Sequence, residues 1–506
     1  MSDRPNLLFL LNDHQAYYRH GWDGGPRVQR PQFDRLARDG VDFHRAYAAC
    51  PLCGPARRTM LTGLYAHNHG EIKNDTNHPF DREDYLDILA ANGYRNYYYG
   101  KWHAGPGTAF DHHCEGFSYP SYNNPFTKPE YKDYLKRMGL PEPEILIERS
   151  FTPPVFAGGR PNPMKEGQTY RQQGPWSAEP GVGVLLTPKE THEAFFLANL
   201  ACDRLKELAA NNEEAPWHLR VDFWGPHQPY TPTREFADRY DPASIPEYGS
   251  FRDDLQTKPQ IYRADWGYRI SENHKVIVPN PLPWSEWQKV LARAYAQVTL
   301  VDAAAGMILD ALDALGLAEN TFVIYTTDHG DCVACHGGHF DKRSYMPEEL
   351  LRVPMAVRWP GRVAPGQSSG RLVSNLDVAP TILDAAGLRF GDPVDGASIL
   401  PVCMDPNATW RDDLLCETHG HAEDVLGRLV VTERFKYVHT EGDMEELYDL
   451  RDDVYELKNL IDSATHRDIL ADMRKRLAKW RERTNDHPEA PDSPWNRWLH
   501  RPRKAQ

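Results

Sequence analysis

Four short apolar runs, each ending in acids, histidines or a lysine, constrain this chain more than any other feature. They are Leu7–Leu11, Tyr94–Tyr99, Leu219–Trp224 and Phe322–Thr326. Each is too short for a helix and rich in aromatic or branched residues, as expected of strands buried on both faces of a parallel sheet. Helical patterns lie between them. Tyr85, Leu86, Ile88 and Leu89 precede Asn92-Gly93, a pair suited to closing a helix. Val298, Val301, Ala305, Ile308, Leu312 and Leu315 step by three or four and stop at Gly316. Strands alternating with helices predict an α/β fold with a large, mostly parallel, doubly wound sheet.

The first run ends in Asn12-Asp13-His14 and the second in Gly100-Lys101-Trp102-His103. The third ends in Gly225-Pro226-His227 and the fourth in Asp328-His329-Gly330-Asp331. Ligands of open α/β sheets bind beyond the carboxyl ends of the strands. Four such ends together predict one shared polar site, although any single end could be an ordinary polar loop or a helix cap.

The 506 residues allow one large α/β domain and a smaller partner. The formal net charge of −14 argues against a nucleic-acid binder, which needs a basic footprint. It also requires any site for an anion to build positive charge locally. The apolar run near the N-terminus is too short for a signal-peptide core, and no stretch approaches the roughly 20 apolar residues of a membrane span. A cytoplasmic location and no membrane partner are therefore expected. Eight cysteines do not suggest a disulfide framework.

Two regions, Glu115 to Glu190 and Pro229 to Pro283, lack a clear period and read as ordered excursions over the site mouth. Within them Tyr122, Phe126, Tyr230, Trp266 and Tyr268 could stack on a ring or pack the excursions' own core. After about residue 405 the pattern changes. Asp412–Glu417, Gly427–Thr432 and Tyr437–Thr440 read as short strands, and Thr465–Arg483 as an amphipathic helix. The expected division is a main domain over 1–405 and a small α+β domain over 406–506. The tail beyond His487 reads as disordered or as an arm that clasps another subunit.

The sharpest signal is Cys53-Gly54-Pro55-Ala56-Arg57, followed by Leu61-Thr62-Gly63. It resembles the Cys-x-Pro-x-Arg motif of type I sulfatases and their phosphonate-hydrolase relatives in the alkaline phosphatase superfamily. Pro5-Asn6, Gly100-Lys101-Trp102-His103, Pro226-His227, Asp328-His329-Gly330, Asp341-Lys342 and Glu446-Leu447-Tyr448-Asp449-Leu450 match further motifs in order. The resemblance implies a large mixed, mostly parallel, alkaline-phosphatase-like sheet, a sulfuric ester hydrolase, and oxidation of Cys53 to formylglycine by a formylglycine-generating enzyme. A hydrated aldehyde suits the chemistry because one hydroxyl can attack sulfur while the other later expels the sulfate.

Asp13 and Asp328 are hard oxygen donors at strand ends, suited to one divalent ion. The resemblance adds His329 and residue 53 as ligands. Calcium is the first choice, with manganese or magnesium as alternatives, because His14 stands where many relatives have a second aspartate. The resemblance also implies that Arg57 and Lys101 orient the formylglycine and that His103 accepts a proton from its second hydroxyl. His227 and Lys342 would hold the sulfate, and one of them would protonate the departing alcohol. Asn74 matches a substrate-contacting position, or is a turn residue beside Asp75.

The expected substrate is a small-molecule organosulfate. Phosphonate monoester or phosphodiester hydrolysis is the main alternative, supported by Ala56; Lys101 and His103 favour sulfate. A non-catalytic binding protein is the reading if Cys53 stays unconverted. The tail and the related hydrolases suggest a homo-oligomer. Cys50-x-x-Cys53 and Cys332-x-x-Cys335 invite a structural zinc, but the pairs lie too far apart for the usual spacing.

Overall fold

The computed structural model describes residues 4–17, 28–120, 124–150, 165–171, 181–211, 215–264, 282–421 and 423–501. The main sheet takes its strands, in chain order, from β1 (Asn6–Asp13), β2 (Val41–Tyr47), β3 (Arg95–Lys101), β4 (Cys114–Tyr119), β5 (Trp217–Pro226), β6 (Thr321–Thr327), β7 (Arg352–Arg358) and β8 (Gln367–Ser369). Their spatial order is β8-β2-β7-β6-β1-β5-β3-β4, with Val373–Ser374 also paired to β2. β1 runs parallel to β5 and β6, and β3 runs parallel to β5 and β4. β7 is antiparallel to both β2 and β6, which makes the sheet mixed. The four expected strands are β1, β3, β5 and β6.

Alternation along β1 shows why the sheet is covered twice. Leu8 and Leu10 join the core formed with helices α3 (Glu193–Asn211) and α4 (Trp284–Ala314). Leu7, Phe9 and Leu11 join the opposite core, formed with α1 (Cys53–Thr62), α2 (Tyr85–Ala91) and α5 (Val378–Ala385). A strand with period two needs apolar residues at every position to satisfy both layers. Burying each such side chain contributes roughly 1.5–3 kcal/mol. The sequence suggested no segment long enough to span a membrane; α4 has that length and composition, but 72% of its most apolar window is buried inside the protein.

A smaller C-terminal domain is built on an antiparallel sheet of β9 (Asp413–Thr418), β10 (Gly427–Thr432), β11 (Phe435–Thr440) and β12 (Glu446–Asp449). Helix α6 (Arg467–Arg483) covers it through Met473, Leu477 and Trp480. The tail differs from expectation. It forms a short helix, α7 (Pro494–Leu499), and the Trp498 indole donates to Asp424 Oδ1 of the same chain at 2.8 Å. Through Arg501 the tail is therefore neither loose nor extended away from its own body.

The first excursion carries its own small sheet, in which Ile145–Ser150 pairs with Gly181–Leu185. Phe126 packs edge-on against Tyr131 rather than offering a free face. Tyr230 is buried and bonded to Asp331. Tyr122, Trp266 and Tyr268 lie outside the described residues.

Candidate active site

Strand register gathers the expected residues. Asn12 is opposite Thr327 and Asp13 opposite Pro226, so Asp13, His227 and Asp328 leave the sheet at one edge. Gly100, with φ 122°, lies opposite Asp222, and a Cβ on it would fall 2.0 Å from the Asp222 carbonyl oxygen. That close approach requires glycine just before Lys101. Helix α1 starts at Cys53 and is buried along its whole length. Its entry is held by Asn74, whose Oδ1 accepts from the Gly54 N–H at 2.9 Å.

Single donor atoms of Asp13, Cys53, Asp328 and His329 all lie within 4.8 Å of one another. Cys53 Sγ is 3.1 Å from His329 Nε2, and His329 Nδ1 is 2.8 Å from the Gly330 carbonyl oxygen. An Nδ1–H donated to that carbonyl leaves Nε2 with its lone pair facing residue 53. Asp328 Oδ1 accepts from the backbone N–H groups of His14 and His329, both at 2.9 Å. Asp13 Oδ1 is buried without a hydrogen bond. Such an orphaned oxygen costs about 1–3 kcal/mol unless a cation meets it. Two carboxylates, an imidazole and the side chain at position 53 form a donor set that could hold one divalent ion.

Cationic side chains brace the carboxylates. Arg57 Nε is 3.0 Å from Asp328 Oδ2, and its Nη1 is 2.8 Å from Asp222 Oδ2. Asp222 also accepts from Arg220 Nε at 2.7 Å and from the Tyr98 hydroxyl at 2.7 Å. Lys101 Nζ pairs with Asp13 Oδ2. Burial alone would raise the Asp328 pKa, but His329, Arg57 and Lys101 together hold it far below the usual carboxylate range.

Beside this cluster Lys342 Nζ is 2.8 Å from His227 Nε2. Burial, and then Lys342, push the His227 pKa well down, so its ring is neutral at pH 7. The His14 ring packs 4.5 Å from the His227 ring and 4.8 Å from the His329 ring. Its Nε2 faces Asp331 Oδ1 at 3.2 Å and Asp341 Oδ1 at 3.4 Å. Burial pushes the Asp331 carboxyl up to about 7. His103 Nε2 lies 3.6 Å from Asp75 Oδ1. His14, His103 and Asp341 have φ of 66°, 44° and 68°. Left-handed backbone at three residues lining one pocket is a strained arrangement of the kind that concentrates at functional sites.

Asp13, Cys53, Arg57, Lys101, Asp328 and His329 are thus joined by direct contacts, and His14 links them to His227 and Lys342. Asn74 and His103 both border Gly54, with the Asn74 Oδ1 and the His103 carbonyl oxygen 3.2 and 3.6 Å from where its Cβ would lie. Sequence reasoning missed Asp222, Tyr98 and His421. The first was legible: Arg220 and Asp222 interrupt one face of an otherwise apolar strand. His421 approaches Arg343 at 3.4 Å from the C-terminal domain, and no motif announces it. Among the described residues no donor group gathers the two Cys-x-x-Cys pairs, so the structural-zinc reading gains no support.

The sulfatase family profile matches residues 5–388, and the profile of the N-sulphoglucosamine sulphohydrolase C-terminal region matches residues 335–483. The chain is 26% identical to an N-acetylglucosamine-6-O-sulfatase of Bacteroides thetaiotaomicron, over 92% of this chain and 84% of the relative. It is 27% identical to a choline-sulfatase of Rhizobium meliloti, over 91% and 83%. Its fold superposes on a phosphonate monoester hydrolase of Silicibacter pomeroyi with a TM-score of 0.73 at 21% identity, covering 96% of both chains. A family profile spanning the whole main sheet, together with sulfatase relatives along nearly the full length, establishes that the chain belongs to the sulfatase family and is a sulfuric ester hydrolase.

Proposed function

We propose that the chain hydrolyses a small organic sulfate ester at residue 53, with Cys53 oxidised to formylglycine and one divalent ion held by Asp13, Asp328, His329 and that residue. The observation that carries the reading is the four-donor cluster within 4.8 Å, beside a Lys342–His227 pair at 2.8 Å. The hydrated aldehyde supplies one hydroxyl to attack sulfur and a second to re-form the carbonyl and release sulfate. A bound ion supplies the positive charge that favours the ionised hydroxyl. Calcium is the first choice and manganese the second, since an imidazole shares the donor set.

The remaining steps belong to the chain's own side chains. Arg57 and Lys101 fix the two carboxylates and add positive charge at the nucleophile. His103, oriented by Asp75, accepts the proton of the second hydroxyl. Lys342 and His227 hold sulfate oxygens, and a proton passed through this pair reaches the departing alcohol. Asn74 fixes the start of α1 through Gly54. Curated relatives named for N-acetylglucosamine and choline sulfates support a small organosulfate substrate.

Phosphonate monoester hydrolysis is the second reading, favoured by Ala56 within the nucleophile motif. An aryl sulfate, a phosphonate monoester and a phosphodiester should be assayed side by side on protein produced with a maturing enzyme. Peptide mass spectrometry across Cys53 accompanies the assay. The sulfatase reading expects thiol-to-aldehyde conversion and the highest kcat/KM on the sulfate. Full activity with an unmodified Cys53, or a clear preference for the phosphonate, overturns it.

A further inference from the structure

We propose that a cavity between the C-terminal sheet, the turn after α1 and the tail binds an uncharged sugar ring. The cavity measures about 510 Å³. That lies within the roughly 300–1,000 Å³ typical of small-molecule sites. His419 lines it from just past the end of β9, and Asn68 from the turn after α1. Glu489, Asp492 and Trp495 line it from the tail.

The observation that points to a ligand is one nitrogen of His419. The ring is fully buried, and its Nε2 lies 3.3 Å from Arg428 Nη2. A guanidinium only donates, so Nε2 holds the lone pair and accepts. Burial, and then Arg428, push the pKa of the ring down to about 3, so it is neutral at pH 7. Its one proton therefore sits on Nδ1, which is buried without a hydrogen bond to any described residue. A buried donor in that state is costly until an acceptor reaches it.

The surrounding charges narrow the class of acceptor. Asp486 accepts from Arg428 Nε and Nη2 at 2.6 and 2.8 Å, and Glu417 lies 3.4 Å from Nη2, so the arginine is neutralised. The exposed carboxylates Glu489 and Asp492 border the same space and repel an anion. An ammonium has no lone pair to offer His419. A hydroxyl can accept from His419 and donate to a carboxylate, so a polyol satisfies both. Asn68 gives its amide protons to Asp395 Oδ2 at 2.9 Å and to the Thr484 carbonyl at 3.0 Å, which leaves its Oδ1 as a further acceptor. The half-buried Trp495 indole, centred 5.7 Å from the His419 ring, gives the apolar face of a sugar a surface to pack on.

The chain ties this cavity to the nucleophile pocket. Two residues beyond His419, the His421 N–H donates to Ser344 Oγ at 3.0 Å. The His421 ring meets Arg343, the neighbour of Lys342. Asn68 lies on the segment that joins α1 to Asn74. A sugar held here is either a second residue of the molecule that carries the ester or a separate saccharide.

The test adds glucose, galactose and N-acetylglucosamine to the full chain at millimolar concentration. Saturation-transfer NMR follows binding, with inorganic sulfate present to fill the nucleophile pocket. At least one neutral sugar should bind, and glucosamine and glucuronate should bind more weakly than it. Trp495→Ala should weaken the neutral sugar by about tenfold, with turnover of a small aryl sulfate unchanged. If Trp495→Ala fails to fold, the exposed pair Glu489→Gln and Asp492→Asn takes its place in the same comparison. A KM that rises in the variant for a disaccharide sulfate, and not for the aryl sulfate, assigns the sugar to the substrate. An unchanged KM beside the lost binding assigns it to a separate saccharide. No binding of any neutral sugar, equal affinity in the variant, or equal binding of the charged sugars overturns the proposal.

Discussion

Arg57 and Asp222 meet at 2.8 Å with neither side chain exposed, and Asp222 stands outside the donor cluster that Arg57 serves. The aspartate is the common anchor of three groups, since Arg220 and the Tyr98 hydroxyl also bond to it. Arg57 consequently reaches Asp328 from a fixed direction. The positive charge near residue 53 is held in place by a carboxylate outside the donor cluster.

Asp222→Asn keeps the shape of this anchor and removes its charge, leaving Arg57 and Arg220 buried and under-neutralised. Breaking such a network costs about 3–5 kcal/mol. The expected outcome is a clearly lowered Tm in a thermal melt and weaker retention of the divalent ion in the surviving folded fraction. A variant with unchanged Tm and metal content means that Asp222 does not anchor Arg57.

The Lys342–His227 pair makes a prediction about leaving groups. If the pair delivers a proton to the departing alcohol, His227→Asn should slow alkyl sulfates by about 10²–10⁴-fold in kcat. An activated aryl sulfate, whose phenolate leaves without help, should suffer much less. Measuring both substrates on one preparation decides the point. An equal loss on both assigns His227 to sulfate binding alone.

Much of this pocket was legible because its residues sit at strand ends, where polar chemistry follows an apolar run. Asp13, Lys101, His227 and Asp328 were found that way. Antiparallel β7 was not, because Arg352-Val353-Pro354 begins with a charge and a proline that break the apolar signal. Asp222 was missed although Arg220 and Asp222 mark one face of their strand with charge; its pairing with Arg57 and Arg220 explains why a carboxylate is buried there. His421 could not be read at all. It reaches Arg343 through the packing of one domain on the other, a contact with no local pattern. The folding of the tail onto Asp424, within the C-terminal domain, is likewise a contact between distant residues with no local pattern.

Metal removal tests the orphaned Asp13 Oδ1. Stripping the ion leaves that oxygen unmet in a buried site, so the chelated protein should be inactive and should melt lower. Readdition at about 100 times the Kd contributes roughly 2.7 kcal/mol. Calcium and manganese should be added separately, with activity and Tm followed for each. An Asp13→Asn variant should show a much smaller rise in Tm on readdition. A chelated protein that retains full turnover excludes the metal from the reaction.

The pair of carboxylates facing His112 makes stability depend on pH in a known direction. Although burial alone would lower its pKa, Asp84 and Asp87 raise it to about 9. The unfolded value is near 6.5. A group whose folded pKa lies above its unfolded value stabilises fully below the unfolded pKa and loses that contribution as pH rises through the folded one. The window is therefore from about 6.5 to about 9, and the full contribution is on the order of 2–3 kcal/mol. The groups that face the ring are Asp84, Asp87 and His113, with Phe80 and Trp102 against its faces. Urea melts with chelator present, at pH 6.5, 8 and 9.5, should show His112→Gln far less stable than the unaltered chain at pH 6.5. The gap should have narrowed markedly by pH 9.5. Other groups that titrate in this range cancel in the comparison, so a constant gap across the window means that His112 is not held protonated by these carboxylates.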